Sequence, residues 1–214
     1  MNAKPKTFLT KCLFWGILLI LTTHVRCVLT TFQSPAVLEP DQRAIGVGAS
    51  VISDLEKGWL GEFDIYGRTG INQNLDAGFK YSLPLAISGD LKYQILSKPI
   101  LFSADLGVSY GYIPGIISDA SNSTHFIAIQ PMLLAGSKHI YGGIKSWIPF
   151  MSFSIERGGI ETDVGIGFGA PAFFLGASIG DKLRILPEAN FYLTIGQESY
   201  DLFLISGIGL QYVF

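Results

Sequence analysis

The sequence predicts an all-β fold, a closed antiparallel barrel that crosses a membrane, and three observations support this prediction. Polar and apolar residues alternate with a period of two along most of the chain, as in strands between two different media. Only 15% of the residues are charged, and the mean hydropathy of +0.40 is high for a soluble domain. The last strand alternates to its end and stops at an aromatic residue, Phe214. We therefore predict an up-and-down transmembrane barrel of about ten strands, with roughly 8 to 12 strands compatible with the pattern.

Residues 1–27 have the layout of a secretory signal peptide. Lys4, Lys6 and Lys11 precede the apolar stretch CLFWGILLIL, and the polar TTH follows it. The apolar stretch is shorter than a spanning helix requires, which favours a signal peptide over its alternative, a retained signal anchor. The pattern therefore predicts export from the cytoplasm.

Cys27 is the single cysteine of the predicted mature chain, because Cys12 lies within the signal, so no intramolecular disulfide is expected. A bacterial lipoprotein carries its lipidated cysteine at this place, directly after the apolar stretch. Arg26, however, stands where such proteins usually have a small residue. Lipidation of Cys27 and ordinary signal cleavage nearby, which would leave a free thiol, both remain open.

Two further regions follow the signal. Residues 28–41 include QSPAVLEP, whose prolines and lack of periodicity favour an extended periplasmic leader. Alternating runs then fill residues 42–214, the predicted barrel. We expect strands at roughly 42–53, 59–68, 75–84, 89–96, 100–112, 124–135, 139–149, 171–180, 183–194 and 202–213.

The lengths of the connections supply a check that does not depend on the alternation. If the barrel begins in the periplasm, the even connections should be tight turns and the odd ones external loops. The even connections, near GINQN, SKP, SKH and GDK, are short. The odd ones include IPGIISDASNS and the long stretch MSFSIERGGIETDVGIGFGA. Part of that last stretch also alternates, so an extended strand or an additional pair remains open there.

The stretch from Glu62 to Ile95 indicates what the interior contains. One side of its alternation is apolar, with Phe63 and Phe79 among its members, and the other side is ionic. A small barrel has little room for water, so we expect opposite charges to pair across the lumen and fill it. The predicted lumen charges are Glu62, Asp64, Asp76, Asp90, Asp105 and Glu188 against Arg68, Lys80, Lys92, Lys145 and Arg184.

The N-terminal layout, the stretch EFDIYGRTGINQNLDAGFKYSLP followed by GDLKYQIL, and the terminal strand YDLFLISGIGLQYVF resemble small bacterial outer-membrane barrels of unassigned function, some of them lipoproteins. The resemblance covers most of the predicted mature chain. It implies a location in the bacterial outer membrane, contact with the lipids of that membrane, and assembly by the barrel assembly machinery, which would read Phe214. It implies an architecture and not an activity.

Motifs for catalysis and cofactor binding are missing from the sequence. His125 lies near Asp119 and Ser123, but SNSTHFIAI has neither the paired acids of outer-membrane proteases nor the His-x-Ser pattern of lipid A deacylases. His139 has no acid close to it in the sequence, so both histidines read as loop or turn residues. No CxxC or HExxH motif is present. GVSYG, residues 107–111, fits the GxSxG spacing, but it lies within the predicted strand 100–112 and lacks the strand-to-helix turn on which that motif depends. We predict no catalytic, metal or cofactor site.

These observations predict a non-enzymatic barrel with an ionic, occluded interior and surface loops, in a structural or interaction role. The alternatives are a narrow pore or transporter for small polar solutes and, less favoured, a surface hydrolase. A net charge of −2 without any run of basic residues argues against a nucleic-acid partner. The sequence does not identify an external ligand.

Overall fold

A computed structural model describes the backbone of residues 30–54, 58–83, 86–113, 123–156, 159–164, 170–195 and 200–214. The predicted signal peptide and Cys27 lie outside these described residues. Within the described ranges, no helix has the length and apolar character needed to cross a membrane.

The described residues form eleven strands, and each pairs antiparallel with its neighbours in the sheet. The strands are β1 (Arg43–Asp54), β2 (Gly58–Asn72), β3 (Leu75–Leu83), β4 (Ala86–Leu96), β5 (Leu101–Ile113), β6 (Ser123–Gly136), β7 (Ile140–Glu156), β8 (Gly159–Val164), β9 (Ala170–Ala177), β10 (Leu183–Ile195) and β11 (Tyr200–Val213).

The strands close into a barrel. β1 pairs with β2 on one side and with β11 on the other, where Ala44 lies opposite Val213. β8 and β9 both pair with β7, β8 beside residues 151–156 and β9 beside residues 140–147, so these two strands lie end to end. The described strands therefore occupy ten positions around the wall, and the predicted closed antiparallel barrel of about ten strands is confirmed.

The predicted strands agree with the observed ones except after the seventh. The sequence analysis treats residues 151–170 as a long external loop. In the structure β7 continues to Glu156, and β8 pairs back against it from Glu156 opposite Gly159 to Met151 opposite Val164. The alternation in this stretch therefore builds a hairpin that extends the wall, which was the option left open by the pattern.

The two faces of the wall differ as the alternation predicts. Phe79 is 55% exposed on the outside, whereas the next residue, Lys80, is 7% exposed and faces the lumen. The same contrast separates the exposed Leu91 from the buried Lys92. An apolar outer surface suits hydrocarbon, because a closed barrel pairs its backbone groups within the wall and needs no water there.

The two ends of the barrel are built differently. Short turns at residues 73–74, 97–100, 137–139 and 178–182 join strands at the end where β1 begins and β11 finishes, and we name this the turn end. The connections at the opposite end, which we name the loop end, lie largely outside the described residues. The short turns are the connections that the sequence predicts for the periplasmic side.

Residues 30–38, TTFQSPAVL, lie inside the barrel, and we name them the lumenal segment. Six of these nine residues are buried, and Phe32 is 0% exposed. The chain reverses direction at residues 39–42, where Asp41 has a φ of 68°, and continues into β1. This location corrects the expectation that residues 28–41 extend into the periplasm, because the described part of that leader fills the lumen instead.

One side of the lumen wall carries almost no side chains. β1 presents Gly46 and Gly48 to the interior, and β11 presents Gly207 and Gly209. A Cβ atom added to Gly48 would lie 2.3 Å from the ring of Phe32. This bare strip therefore gives the lumenal segment the space that it occupies.

Candidate functional site

The lumenal segment runs along the barrel from the turn end towards the loop end. Leu38 contacts Asp76, which is the second residue of β3 and lies near the turn end. Thr30 contacts Lys80, four residues further along the same strand. The N-terminal end of the segment therefore points towards the loop end.

Carboxylate and amide side chains of the wall accept hydrogen bonds from the backbone N–H groups of the lumenal segment. Four N–H groups are held in this way at 2.9 to 3.2 Å, those of Thr31 and Phe32 by Glu188, of Val37 by Gln94 and of Leu38 by Asp76. These acceptors come from β3, β4 and β10, so they surround the segment from more than one side of the barrel.

Lysine and serine side chains of the wall donate to the backbone carbonyl groups of the segment. Four carbonyl oxygens accept at 2.5 to 3.0 Å, that of Thr30 from Lys80, those of Ser34 and Ala36 from Lys92, and that of Pro35 from Ser103. Buried backbone groups need partners, and here wall side chains supply them. The wall therefore recognises the main chain of the segment.

Phe32 is the largest side chain that the segment places in the lumen. Its ring stacks on Tyr66, with centroids 6.0 Å apart, and packs against Leu186. The glycine strip completes the pocket, since a Cβ on Gly48 or Gly209 would meet the Phe32 side chain. The backbone of Phe32 has a φ of 46°, in a region that non-glycine residues seldom adopt. The surrounding contacts hold the ring in this pocket despite that unfavourable conformation.

Two further side chains fix the segment on either side of its prolyl residue. Gln33 donates through Nε2 to Asp105 at 2.9 Å. Leu38 packs with Ala44 and Val213 at the turn end. The segment carries no charged residue, so it adds no charge to the ionic interior of the barrel.

Arg68 is the centre of one ionic cluster in the lumen. Its Nη2 lies 2.6 Å from both Asp76 and Asp90 and 3.8 Å from Asp105. Lys92 approaches Asp76 from the other side at 3.3 Å. Charges removed from water need partners of this kind, because an unpaired buried charge is costly. The same acids therefore stabilise the wall and bind the segment.

Two further ion pairs lie around the N-terminal half of the segment. Lys80 is 3.6 Å from Asp64, which also accepts the hydroxyl of Thr30 at 2.8 Å. Lys145 is 3.6 Å from Glu188. Each pair contains a group that also bonds the segment, so the segment is part of the network that neutralises the lumen.

All eleven predicted lumen charges lie on the lumen side of the wall, and ten of them lie within the interior, whereas Arg184 lies at its turn end. Arg184 lies on the lumen side of β10 but at the turn end, where its Nε donates to the carbonyl oxygen of Asp181 at 2.8 Å. Glu62 is buried and accepts from Ser50 at 3.5 Å. The alternation therefore predicted which face the side chains occupy, whereas position along the strand decides which of them reach the segment.

Phe214, the predicted assembly signal, is exposed at the turn end and stacks on Tyr212 with centroids 6.1 Å apart. Its backbone exchanges two hydrogen bonds of 2.9 Å with Arg43, which extends the pairing of β1 and β11. The contact closes the barrel seam and leaves the aromatic ring on the outer surface.

The two histidines that the sequence analysis considered as candidate site residues lie away from the lumenal segment. His125 lies on the outward side of β6, and its Nδ1 is 2.5 Å from the hydroxyl of Tyr110. His139 lies in the turn before β7, with its Nδ1 3.2 Å from the carbonyl oxygen of Ser178. Among the described residues, no group of three or more histidine, cysteine or acidic side chains is arranged to hold a metal ion.

A cavity of about 50 Å³ remains beside the segment. Gln33 and Trp147 line it, and their Oε1 and Nε1 atoms are buried without a hydrogen-bond partner in the part of the chain that is described. The volume is enough for a few water molecules, which could serve both atoms.

The sequence analysis missed the lumenal segment itself. Residues 30–38 show neither periodicity nor charge, so no local pattern assigns them to the interior. A signal was present in the barrel sequence, because Gly46, Gly48, Gly207 and Gly209 all fall on the lumen parity of two strands that pair at the seam. Because protein interiors are closely packed, the space left beside these glycines must be occupied by another part of the chain.

Comparisons with known proteins give matches to solved structures alone. The chain matches no protein-family profile and no curated protein. Its fold is similar to the translocator domain of autotransporter NalP from Neisseria meningitidis, with 10% identity, 98% of each chain covered and a TM-score of 0.43. It is also similar to Ail from Yersinia pestis, with 12% identity, 83% and 100% covered and a TM-score of 0.31.

A third similar structure is outer membrane phospholipase A from Escherichia coli, with 12% identity, 83% and 94% of the chains covered and a TM-score of 0.36. Ail and outer membrane phospholipase A are small outer-membrane β-barrels. Identities this low carry no residue role from one protein to another.

Proposed function

We propose that this chain is a non-enzymatic barrel of the bacterial outer membrane, kept closed by its own lumenal segment and presenting its loop end to the environment. The observation that supports closure is the set of eight backbone hydrogen bonds, four donated and four accepted by residues 30–38. A segment held on its main chain throughout its length blocks the lumen. The balanced wall charges then serve as a binding surface for the segment.

Current recordings in planar lipid bilayers test this proposal. We expect no steady conductance from the full chain, and steady currents from a variant in which residues 30–38 are replaced by a glycine and serine repeat of equal length. A variant with Ser97 and Lys98 of the exposed turn replaced by glycine and serine is the matched control and should stay closed. Steady currents from the unmodified, folded barrel would contradict closure.

A narrow pore for small polar solutes is the second candidate. It is favoured by the non-covalent attachment of the segment, because its departure would expose a lumen lined by charges of both signs. A ten-position barrel is narrower than the porins of about 16–18 strands, so such a pore would pass small solutes only. Conductance that switches on and off in the unmodified chain would favour this candidate. A surface hydrolase gains no support from His125, whose ring contacts Tyr110 on the outer face.

A further inference from the structure

The contacts of the lumenal segment describe a binding site for peptides in general, since most of them do not depend on the side chains of the segment. Wall side chains form hydrogen bonds with the N–H and carbonyl groups at both ends of the segment. Lys92 by itself donates to two of the carbonyl oxygens. Any peptide that can adopt the backbone of residues 30–38, with its left-handed residue at Phe32 and its bend at residues 35–36, offers the same groups in the same spacing. The wall therefore has the chemistry to bind a separate peptide in place of residues 30–38.

Two features of the site select among peptides. The pocket of Phe32, formed by Tyr66, Leu186 and the glycine strip, accepts one flat aromatic side chain at a fixed place. Asp105 accepts a hydrogen bond from the amide of Gln33, so an acid at that position would face a carboxylate in a buried site. Charged side chains would also disturb the near balance of the lumen.

We infer that the lumen is a binding site for uncharged peptides that carry one aromatic residue and adopt the backbone path of the native segment, and that it binds such a peptide in trans when residues 30–38 are absent from it. The bound peptide takes the direction of the native segment, with its C-terminal end at the turn end. This inference rests on the proposed function, because the native segment is the occupant in the closed barrel.

The test uses the full chain with residues 30–38 replaced by the glycine and serine repeat, folded in detergent and checked by the change of gel mobility on boiling. The probe is the peptide TTFQSPAVL with a fluorophore at its C-terminus, which corresponds to the turn-end opening. Fluorescence anisotropy measures binding, and bilayer recordings with added peptide measure block. If the replaced chain does not fold, the full chain with a protease site inserted between the exposed Glu39 and Pro40 takes its place, because cutting the folded barrel there frees the native segment to exchange with the labelled peptide.

Two control peptides separate selective from non-selective binding. In the first, phenylalanine and the alanine four positions later are exchanged, which keeps the composition but moves the aromatic ring out of register. In the second, glutamate replaces glutamine. We expect each control to bind at least about tenfold more weakly than the native peptide, because one loses the burial of the ring and the other places like charges together.

The outcomes distinguish this inference from the proposed function. Binding of the native peptide with weaker binding of both controls supports the inference. If the variant with the glycine and serine repeat conducts but binds no peptide, the inference is overturned, while closure of the full chain by the native segment still stands. If the same variant binds the peptide but never conducts, the inference is supported and the proposed function is contradicted. Equal binding of all three peptides overturns the selectivity on which the inference depends.

Discussion

Glu188 accepts the backbone N–H of Phe32 at 3.0 Å through one carboxylate oxygen, while its other oxygen lies 3.6 Å from Nζ of Lys145. The same second oxygen accepts the N–H of Thr31 at 2.9 Å. One wall carboxylate therefore joins a cation on β7, two strands away around the wall, to the main chain of the lumenal segment. The ionic interior and the segment form one network. A substitution among the wall charges should therefore weaken the binding of the segment, and a change in the segment should alter the ion pairs.

Glu188→Gln should weaken the attachment of the segment. The amide keeps the shape of the carboxylate but loses its charge, and hydrogen bonds to charged groups contribute more than neutral ones, so we expect the free energy of unfolding to fall by about 1–3 kcal/mol. Denaturant unfolding in lipid vesicles, followed by tryptophan fluorescence, measures the change. Glu39→Gln is the control, because Glu39 is exposed in the turn at 39–42 and its replacement should change stability by less than about 0.5 kcal/mol. Equal effects of both substitutions would contradict the special position of Glu188.

Phe79→Arg should destabilise the barrel in lipid by about 2–4 kcal/mol if the site lies near the bilayer midplane, because it places a charge in hydrocarbon. Phe79 is 55% exposed on the outer face, so the charge would have no partner there. Phe79→Leu is the matched control and should cost far less. Both are measured by unfolding in vesicles. A variant with arginine as stable as the leucine variant would show that this face does not meet lipid.

Gly48→Ala should displace Phe32, because the added Cβ would lie 2.3 Å from the Phe32 ring, which has no free space. We expect a loss of about 1–3 kcal/mol, as for other overpacked sites. The loss should vanish when Phe32→Ala is present in the same chain, since the clashing ring is gone. A double-mutant cycle on unfolding free energies measures this coupling. Additive effects of the two substitutions would place Phe32 elsewhere.

A disulfide should form between cysteines introduced at Phe32 and Gly209. A Cβ on Gly209 would lie 3.1 Å from Cβ of Phe32, close to the range of about 3.5–4.5 Å found in disulfides. The natural cysteines are replaced by serine, and cross-linking after mild oxidation is read from gel mobility and peptide mapping. Phe32→Cys with Gly61→Cys is the control, because Gly61 lies on the outer face. A folded barrel that cross-links the control pair and not the first pair would contradict a lumenal position of residue 32.

The alternation, together with the apolar composition and the terminal aromatic residue, predicted a closed antiparallel barrel of about ten strands and the side of the wall on which each charge lies. This information is local, because side chains in a strand point alternately to opposite faces and the two media select apolar or ionic residues at every second position. Phe79 and Lys80 are adjacent in the sequence and opposite in environment for that reason. The extent of β7 beyond residue 149 was left open, because one alternating stretch does not show whether it continues a strand or starts a new one.

Only the tertiary structure decided that residues 30–38 fill the lumen and that the wall charges bind them. The segment has no period and no charge, and its partners lie between 34 and 157 residues away in the sequence. Such contacts arise from closure, which brings β3, β4, β5 and β10 around one axis and leaves a strip of glycine at the seam. The sequence determined which charges face inward, whereas the space that they surround, and therefore what they bind, exists only after the first and last strands have met.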